Sequence, residues 1–122
     1  MAEILVADDD GFALSVIKTL LTAVGAKPTC VDSGNKAVAA MKEKGSDKKY
    51  KAILLDYNMP NGISGVETCK QIRAINKVIK IFLLSGDADS IKPEQVKAWG
   101  MNGLLMKPVR KDTLAKWLAT VK

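Results

Sequence analysis

A chain of 122 residues suffices for one domain and not two, and an apolar content of 48% supports a packed core rather than disorder. No apolar stretch approaches the length of a membrane span, and the short N-terminal apolar run reaches acid at Asp8, which argues against a secretion signal. A net charge of +6 admits acidic partners, while the lack of histidine removes histidine bases, metal sites and phosphocarriers from the chain itself. The expectation is a single cytoplasmic domain over residues 1–122.

Glu3 to Ala7 reads as the first strand and runs into Asp8-Asp9-Asp10. A helix from Gly11 to Val24 places Leu14, Ile17, Leu21 and Val24 on one face, and Gly25 stops it. The second strand is short, Pro28 to Val31. Ser33 caps a second helix containing Ala37, Val38 and Met41. Gly45 to Lys49 reads as a polar connection within a lysine cluster (Lys42, Lys44, Lys48, Lys49 and Lys51). That cluster lacks the interleaved aromatic residues of a nucleic-acid platform, so it reads as a solvated face and no direct nucleic-acid partner is expected.

The third strand, Ala52 to Leu55, ends at Asp56 and passes into the loop Tyr57-Asn58-Met59-Pro60-Asn61-Gly62. The third helix opens on Ser64-Gly65-Val66-Glu67, a capping-box pattern, with Val66, Cys69 and Ile72 facing inward. Strand four runs from Val78 to Leu84 into Ser85-Gly86-Asp87. Pro93 suits the first turn of a fourth helix, which Gly100 stops. Gly103 to Met106 forms the fifth strand, followed by Lys107-Pro108. The last helix carries Leu114, Trp117, Leu118 and Val121 on one face. Cys30 on a strand and Cys69 on a helix read as reduced core residues.

Alternating strands and helices, with strands three and four continuously apolar, predict an α/β fold: a doubly wound, five-stranded parallel sheet with five helices. Sites in such sheets lie outside the carboxyl ends of the strands, where Asp8, Asp9, Asp56, Ser85 and Lys107 all fall. A charged side chain at the mouth of a buried strand is costly unless something pairs with it. Asp8, Asp9 and Asp56 repel one another and favour a divalent ion, and hard oxygen ligands point to Mg²⁺. With Lys107 beside them, the group points to metal-assisted phosphoryl chemistry. Asp10 reads as a helix cap and takes no chemical role.

The motifs Leu5-Val6-Ala7-Asp8-Asp9-Asp10, Leu54-Leu55-Asp56-Tyr57-Asn58-Met59-Pro60, Leu83-Leu84-Ser85-Gly86 and Met106-Lys107-Pro108 are each weak alone. In this order, each at a strand end, they resemble those of response-regulator receiver domains, and the resemblance covers essentially the whole chain. It implies a flavodoxin-like sheet of order 2-1-3-4-5. It also implies a phosphoacceptor of a two-component phosphorelay. Asp56 would take a phosphoryl group from a phosphohistidine on a histidine kinase or histidine phosphotransfer protein, and so switch a docking surface for a downstream protein. Asp9 and Asp56 would ligate Mg²⁺ directly, with the backbone carbonyl of Asn58, and Asp8 would act mainly through water. Lys107 would contact the phosphoryl oxygens as a point charge and Ser85 would donate a hydroxyl hydrogen bond. Pro108 lowers the cost of a cis Lys107–Pro108 bond, common in receivers of this type.

Two departures from the family pattern stand out. Leu104 occupies the position of an aromatic residue that swings inward on phosphorylation, so a smaller rearrangement of the fourth helix and fifth strand is expected. The loop after Met59-Pro60 is one residue longer than usual before its glycine, with Ser64 taking over the helix cap. Asn58 and Asp87 sit where they would tune the lifetime of the phosphoryl group. Two other functions compete. Asp8-Asp9-Asp10-Gly11 also resembles the nucleophile motif of haloacid-dehalogenase-like phosphatases, with Asp8 as nucleophile. A protein-binding module of the same fold that is never phosphorylated is the other.

Overall fold

Side chains alternate across a strand, and here both sides of the central strands are apolar. Leu5, Ile53, Leu55, Ile81 and Leu83 enter one core, with Met41, Cys69, Ile72 and Val96. Ile4, Val6, Ala52, Leu54 and Leu84 enter the other, with Ile17, Leu21, Leu114 and Trp117. A sheet apolar on both faces must be covered on both, which is the doubly wound arrangement.

The computed structural model describes residues 1–121. The elements run β1 (Glu3–Ala7), α1 (Gly11–Ala23), β2 (Lys27–Val31), α2 (Gly34–Lys42), α3 (Ser46–Lys49), β3 (Tyr50–Asp56), α4 (Gly65–Arg73), β4 (Lys80–Ser85), α5 (Pro93–Ala98), β5 (Gly103–Met106) and α6 (Lys111–Val121). A 3₁₀ turn, Ala88–Ser90, precedes α5. The strands pair in parallel in the order β2-β1-β3-β4-β5, the flavodoxin-like order expected. The α1 and α6 helices cover one face, and α2, α4 and α5 the other. Ala7 pairs with both Val31 and Leu55, and Leu55 pairs with Leu83, so the strands end together along one edge.

The segment read as a polar connection contains a helical turn, α3, so the described residues form six α-helices rather than five. Gly45, at φ +85°, starts this turn, and the Ser46 hydroxyl ties it to α2 by donating to the Met41 carbonyl at 2.7 Å. Strand four begins at Lys80, not Val78. The Asn76 side-chain oxygen accepts the N–H groups of Val78 and Ile79, at 2.9 and 3.0 Å, and holds the chain in a turn. Val78 is left 88% exposed, where the sequence reads as a buried strand residue. On α4 the inward face is Thr68, Cys69 and Ile72, with Val66 only half-buried. Thr68 meets its hydrogen-bonding need by donating to the Ser64 carbonyl at 2.7 Å. Cys30 is half-buried on β2 and Cys69 is buried on α4, both as free thiols, and burial pushes each above the ordinary thiol range.

Candidate functional site

The strand ladders continue one residue beyond several strand ends. The Asp8 N–H donates to the Val31 carbonyl at 3.2 Å, that of Tyr57 to Leu84 at 2.9 Å and that of Lys107 to Ser85 at 2.8 Å. These bonds hold Asp8, Asp56 and Lys107 on the sheet rather than on free loops, which limits the entropy lost in assembling them. Asp10 turns away to cap α1, its carboxylate accepting the Phe12 N–H at 3.0 Å. Ser64 caps α4 by accepting the Glu67 N–H at 3.1 Å, but Glu67 accepts from the Gln71 side chain, so only half of the expected capping box forms. The first turn of α4 presses against the acceptor strand. A Cβ on Gly65 would collide with the Asp56 carbonyl oxygen, which explains the glycine.

Asp8, Asp9 and Asp56 offer carboxylate oxygens that all lie within 4.8 Å of one another. Lys107 Nζ sits 2.8 Å from Asp8 Oδ2 and 2.9 Å from Asp56 Oδ1. Asp8 Oδ1 accepts the Asp10 N–H at 3.0 Å. Asp8, Asp56 and Ser85 are buried, and Lys107 is partly covered. Asp9 Oδ2 is buried with no hydrogen-bond partner. A buried anionic oxygen with no donor is expensive to maintain. A small hard cation would satisfy it while relieving the repulsion among the carboxylates. The residues therefore fit Mg²⁺.

Burial pushes the Asp56 carboxyl above its ordinary range, and the Asp8 charge adds to the rise. The Lys107 hydrogen bond and charge oppose that rise without cancelling it. For Lys107, burial pulls the ammonium downward, but its hydrogen bonds to Asp8 and Asp56 outweigh this and the net shift is upward. The two shifts differ in cause: burial raises Asp56 against the pull of the ammonium, whereas the two carboxylates raise Lys107 against its burial.

Ser85 Oγ accepts the Asp87 N–H at 3.1 Å, a bond that leaves its hydroxyl proton uncommitted. Asn58 and Asp87 are exposed on the loops after β3 and β4. The Lys107–Pro108 peptide is cis. Leu104 is half-buried against the core on the α5 side of the sheet. Among the expected residues, the structure joins Asp8, Asp9, Asp56 and Lys107 in one cluster, while Ser85 is the buried end of the neighbouring strand.

Some contacts have no sequence signal. The Tyr57 ring stacks on Trp99, centroids 5.9 Å apart and planes inclined 28°. Asn35 of α2 accepts the Ile63 N–H at 3.4 Å, which ties the longer loop to a neighbouring helix. Residue type alone flags Tyr57 and Trp99 as aromatic, but no periodicity pairs them.

The sequence pattern of the response regulator receiver domain family matches residues 4–119. The sensor histidine kinase AruS of Pseudomonas aeruginosa is 29% identical over 126 residues, an alignment covering 98% of this chain and 12% of that protein. The sensory/regulatory protein RpfC of Xanthomonas campestris is 32% identical over 122 residues, covering 94% of this chain and 16% of that protein. The chain thus spans a small part of these relatives. Among solved structures, the receiver domain of sensor histidine kinase PA1611 from Pseudomonas aeruginosa, with a magnesium ion coordinated in its active site cleft, is similar at a TM-score of 0.83 and 29% identity. That match covers 98% of this chain and 96% of the other.

Proposed function

Because the chain belongs to the response regulator receiver domain family, we propose that it is a single receiver unit of a two-component phosphorelay, with Asp56 as its phosphoacceptor. The observation that carries this reading is the acidic cluster itself: Lys107 lies 2.9 Å from Asp56, and the buried oxygen of Asp9 lacks a donor. The donor is a phosphohistidine on a histidine kinase or a histidine phosphotransfer protein, and the setting is cytoplasmic. No helix among the described residues is long and apolar enough to cross a membrane.

In the transfer, an Asp56 carboxylate oxygen attacks phosphorus. The phosphorus–nitrogen bond to the partner's imidazole breaks, the electron pair stays on the imidazole nitrogen, and an acyl phosphate forms on Asp56. Both reactants are anionic, so positioning and charge neutralisation dominate the barrier. Asp9, Asp56 and the Asn58 carbonyl would hold Mg²⁺, with Asp8 acting through water, and the ion when bound supplies positive charge between the reactants. Lys107 exchanges its Asp56 contact for a phosphoryl oxygen, and Ser85 donates its hydroxyl proton to another. Asn58 and Asp87 orient or exclude the water that later attacks phosphorus, which releases inorganic phosphate and the free Asp56 carboxylate, and so set the lifetime of the acyl phosphate.

The output is a docking surface for a downstream protein. New acceptor oxygens beside Ser85 draw its hydroxyl inward and pull on the loop and 3₁₀ turn that follow β4. Leu104 has no polar tip to exchange between solvent and interior, so the rearrangement of α5 and β5 is small. Amide exchange along α5, with and without a phosphate mimic, measures it, and extensive loss or gain of protection there would contradict the reading.

The deciding experiment is labelling with a small phosphodonor in Mg²⁺. The parent is expected to take up one acyl phosphate, chelation to prevent it, and Asp56→Asn to abolish it. Label on Asp8 in place of Asp56 would instead favour the phosphatase-like chemistry. No label and no Mg²⁺ affinity would leave a binding module. Asp8 is the poorer nucleophile of the two, since each of its oxygens already accepts a hydrogen bond, from Asp10 and from Lys107.

A further inference from the structure

The edge of the sheet opposite the acidic cluster carries the opposite charge. Lys27 and Lys80 open β2 and β4, and Lys51 is the second residue of β3. The one acid that opens a strand there, Glu3 of β1, pairs with Lys27 at 3.5 Å and leaves Lys51 and Lys80 as the net charge. Beside the starts of β3 and β4, the α3 turn and the α4–β4 connection enclose a groove of about 780 Å³. Ile75 and Val78 supply exposed apolar surface in it, at 47% and 88% exposure. Lys51, Lys77 and Lys80 line it with a single acid, Asp47. The exposure of Val78 is built into the fold, because both N–H bonds to Asn76 hold this turn outward. Among the described residues, none of the three lysines is in an ion pair. Lys80 Nζ donates to the Thr120 carbonyl at 3.2 Å, which leaves two of its three N–H groups for a partner.

We propose that this groove docks an acidic, amphipathic protein segment, one that presents carboxylates to Lys51, Lys77 and Lys80 and apolar side chains to Ile75 and Val78. Charge complementarity selects the sign of the partner. The concave shape suits a chain segment better than a flat bilayer. The ring of Tyr50 is buried rather than offered for base stacking, which disfavours a single-stranded nucleic acid. Six residue steps along β3 separate this edge from Asp56, roughly 20 Å at strand rise. Both edges can therefore be occupied at once, and the docking surface does not depend on phosphorylation of Asp56.

The test uses the intact chain and a fluorescein-labelled synthetic peptide of alternating Glu and Leu, followed by anisotropy, with amide chemical shifts to locate the site. Saturable binding is expected, with shifts centred on residues 75–80. Lys77→Glu/Lys80→Glu and Val78→Asp are each expected to weaken it about tenfold or more. A peptide of alternating Glu and Ser, with equal charge, is expected to bind about tenfold more weakly than the Glu-Leu peptide. Both variants change exposed residues, and unaltered phosphodonor labelling and thermal midpoint serve as the check on folding. The proposal is overturned by no saturable binding up to about 1 mM peptide, by equal affinity for the Glu-Ser peptide, or by shifts that map elsewhere. Tighter binding to phosphatidylglycerol vesicles or to a single-stranded oligonucleotide would overturn it in favour of those surfaces.

Discussion

Lys107 Nζ lies 2.9 Å from Asp56 Oδ1, and the same ammonium is also 2.8 Å from Asp8. One cation therefore stands against two buried carboxylates, and any change at this lysine is felt by both. Lys107→Ala would leave them facing each other unpaired. It is expected to lower stability in chelator by about 1–3 kcal/mol, less than for a fully buried pair because Lys107 is partly exposed. Added Mg²⁺ should recover most of that loss, since a divalent ion replaces the missing charge. Thermal melts of parent and variant in chelator and in Mg²⁺ measure both effects. A variant as stable as the parent in chelator would show the ion pair to be unimportant.

Asp56 has the opposite effect on stability. Its folded carboxyl holds a proton more tightly than the ordinary value of 3.8, first because of burial. As pH rises from 3.8 through the folded value, the unfolded chain releases this proton more readily, so the folded state loses relative stability. At neutral pH without metal, the ionised Asp56 is a destabilising group. Asp56→Asn is expected to be more stable than the parent at pH 7 in chelator, by on the order of 1 kcal/mol. The gap should narrow as pH falls toward 3.8. Urea titrations across that range provide the test, and a gap that widens on acidification would reverse the argument.

Asp9 Oδ2 is the buried oxygen without a partner. If a divalent ion completes it, Mg²⁺ stabilises the folded state alone, by about 2.7 kcal/mol at a hundred times its dissociation constant. Asp9→Asn is expected to remove most of this increment while leaving stability in chelator unchanged or higher. Calorimetric titration with MgCl₂ reports the affinity directly. Undiminished Mg²⁺ affinity in the variant would exclude Asp9 as a ligand.

The Tyr57 ring, directly after the acceptor, rests on Trp99 at the end of α5. With two tryptophans in the chain, Trp117→Phe leaves Trp99 as the single reporter. Its emission is expected to change on adding Mg²⁺ and phosphodonor, and Tyr57→Ala should remove the response. The loss of the stack should cost about 0.5–1.5 kcal/mol beyond lost burial. Emission indifferent to phosphodonor in a protein that takes up label would show that α5 does not sense Asp56 through this contact.

Much of the fold could be read along the chain because its signals are local. Continuous apolar runs mark Ile53 to Leu55 and Ile81 to Leu84, Gly25 ends α1 at φ +91°, Ser33 caps α2 and Pro93 opens α5. Once the strands are parallel, the acids and lysine that follow them must share one edge, so Asp8, Asp9, Asp56, Ser85 and Lys107 were legible as a group. The sharing of Lys107 by two carboxylates, the unpartnered oxygen of Asp9 and the Tyr57–Trp99 stack were not. Val78 has the composition of a strand residue, and only the clasp from Asn76 turns it outward. Composition and spacing act over a few residues, and they determined most of the elements, though not the α3 turn or the start of β4. Contacts between residues remote in the chain depend on sheet register and on how helices seat against it, and packing of the two cores settles both.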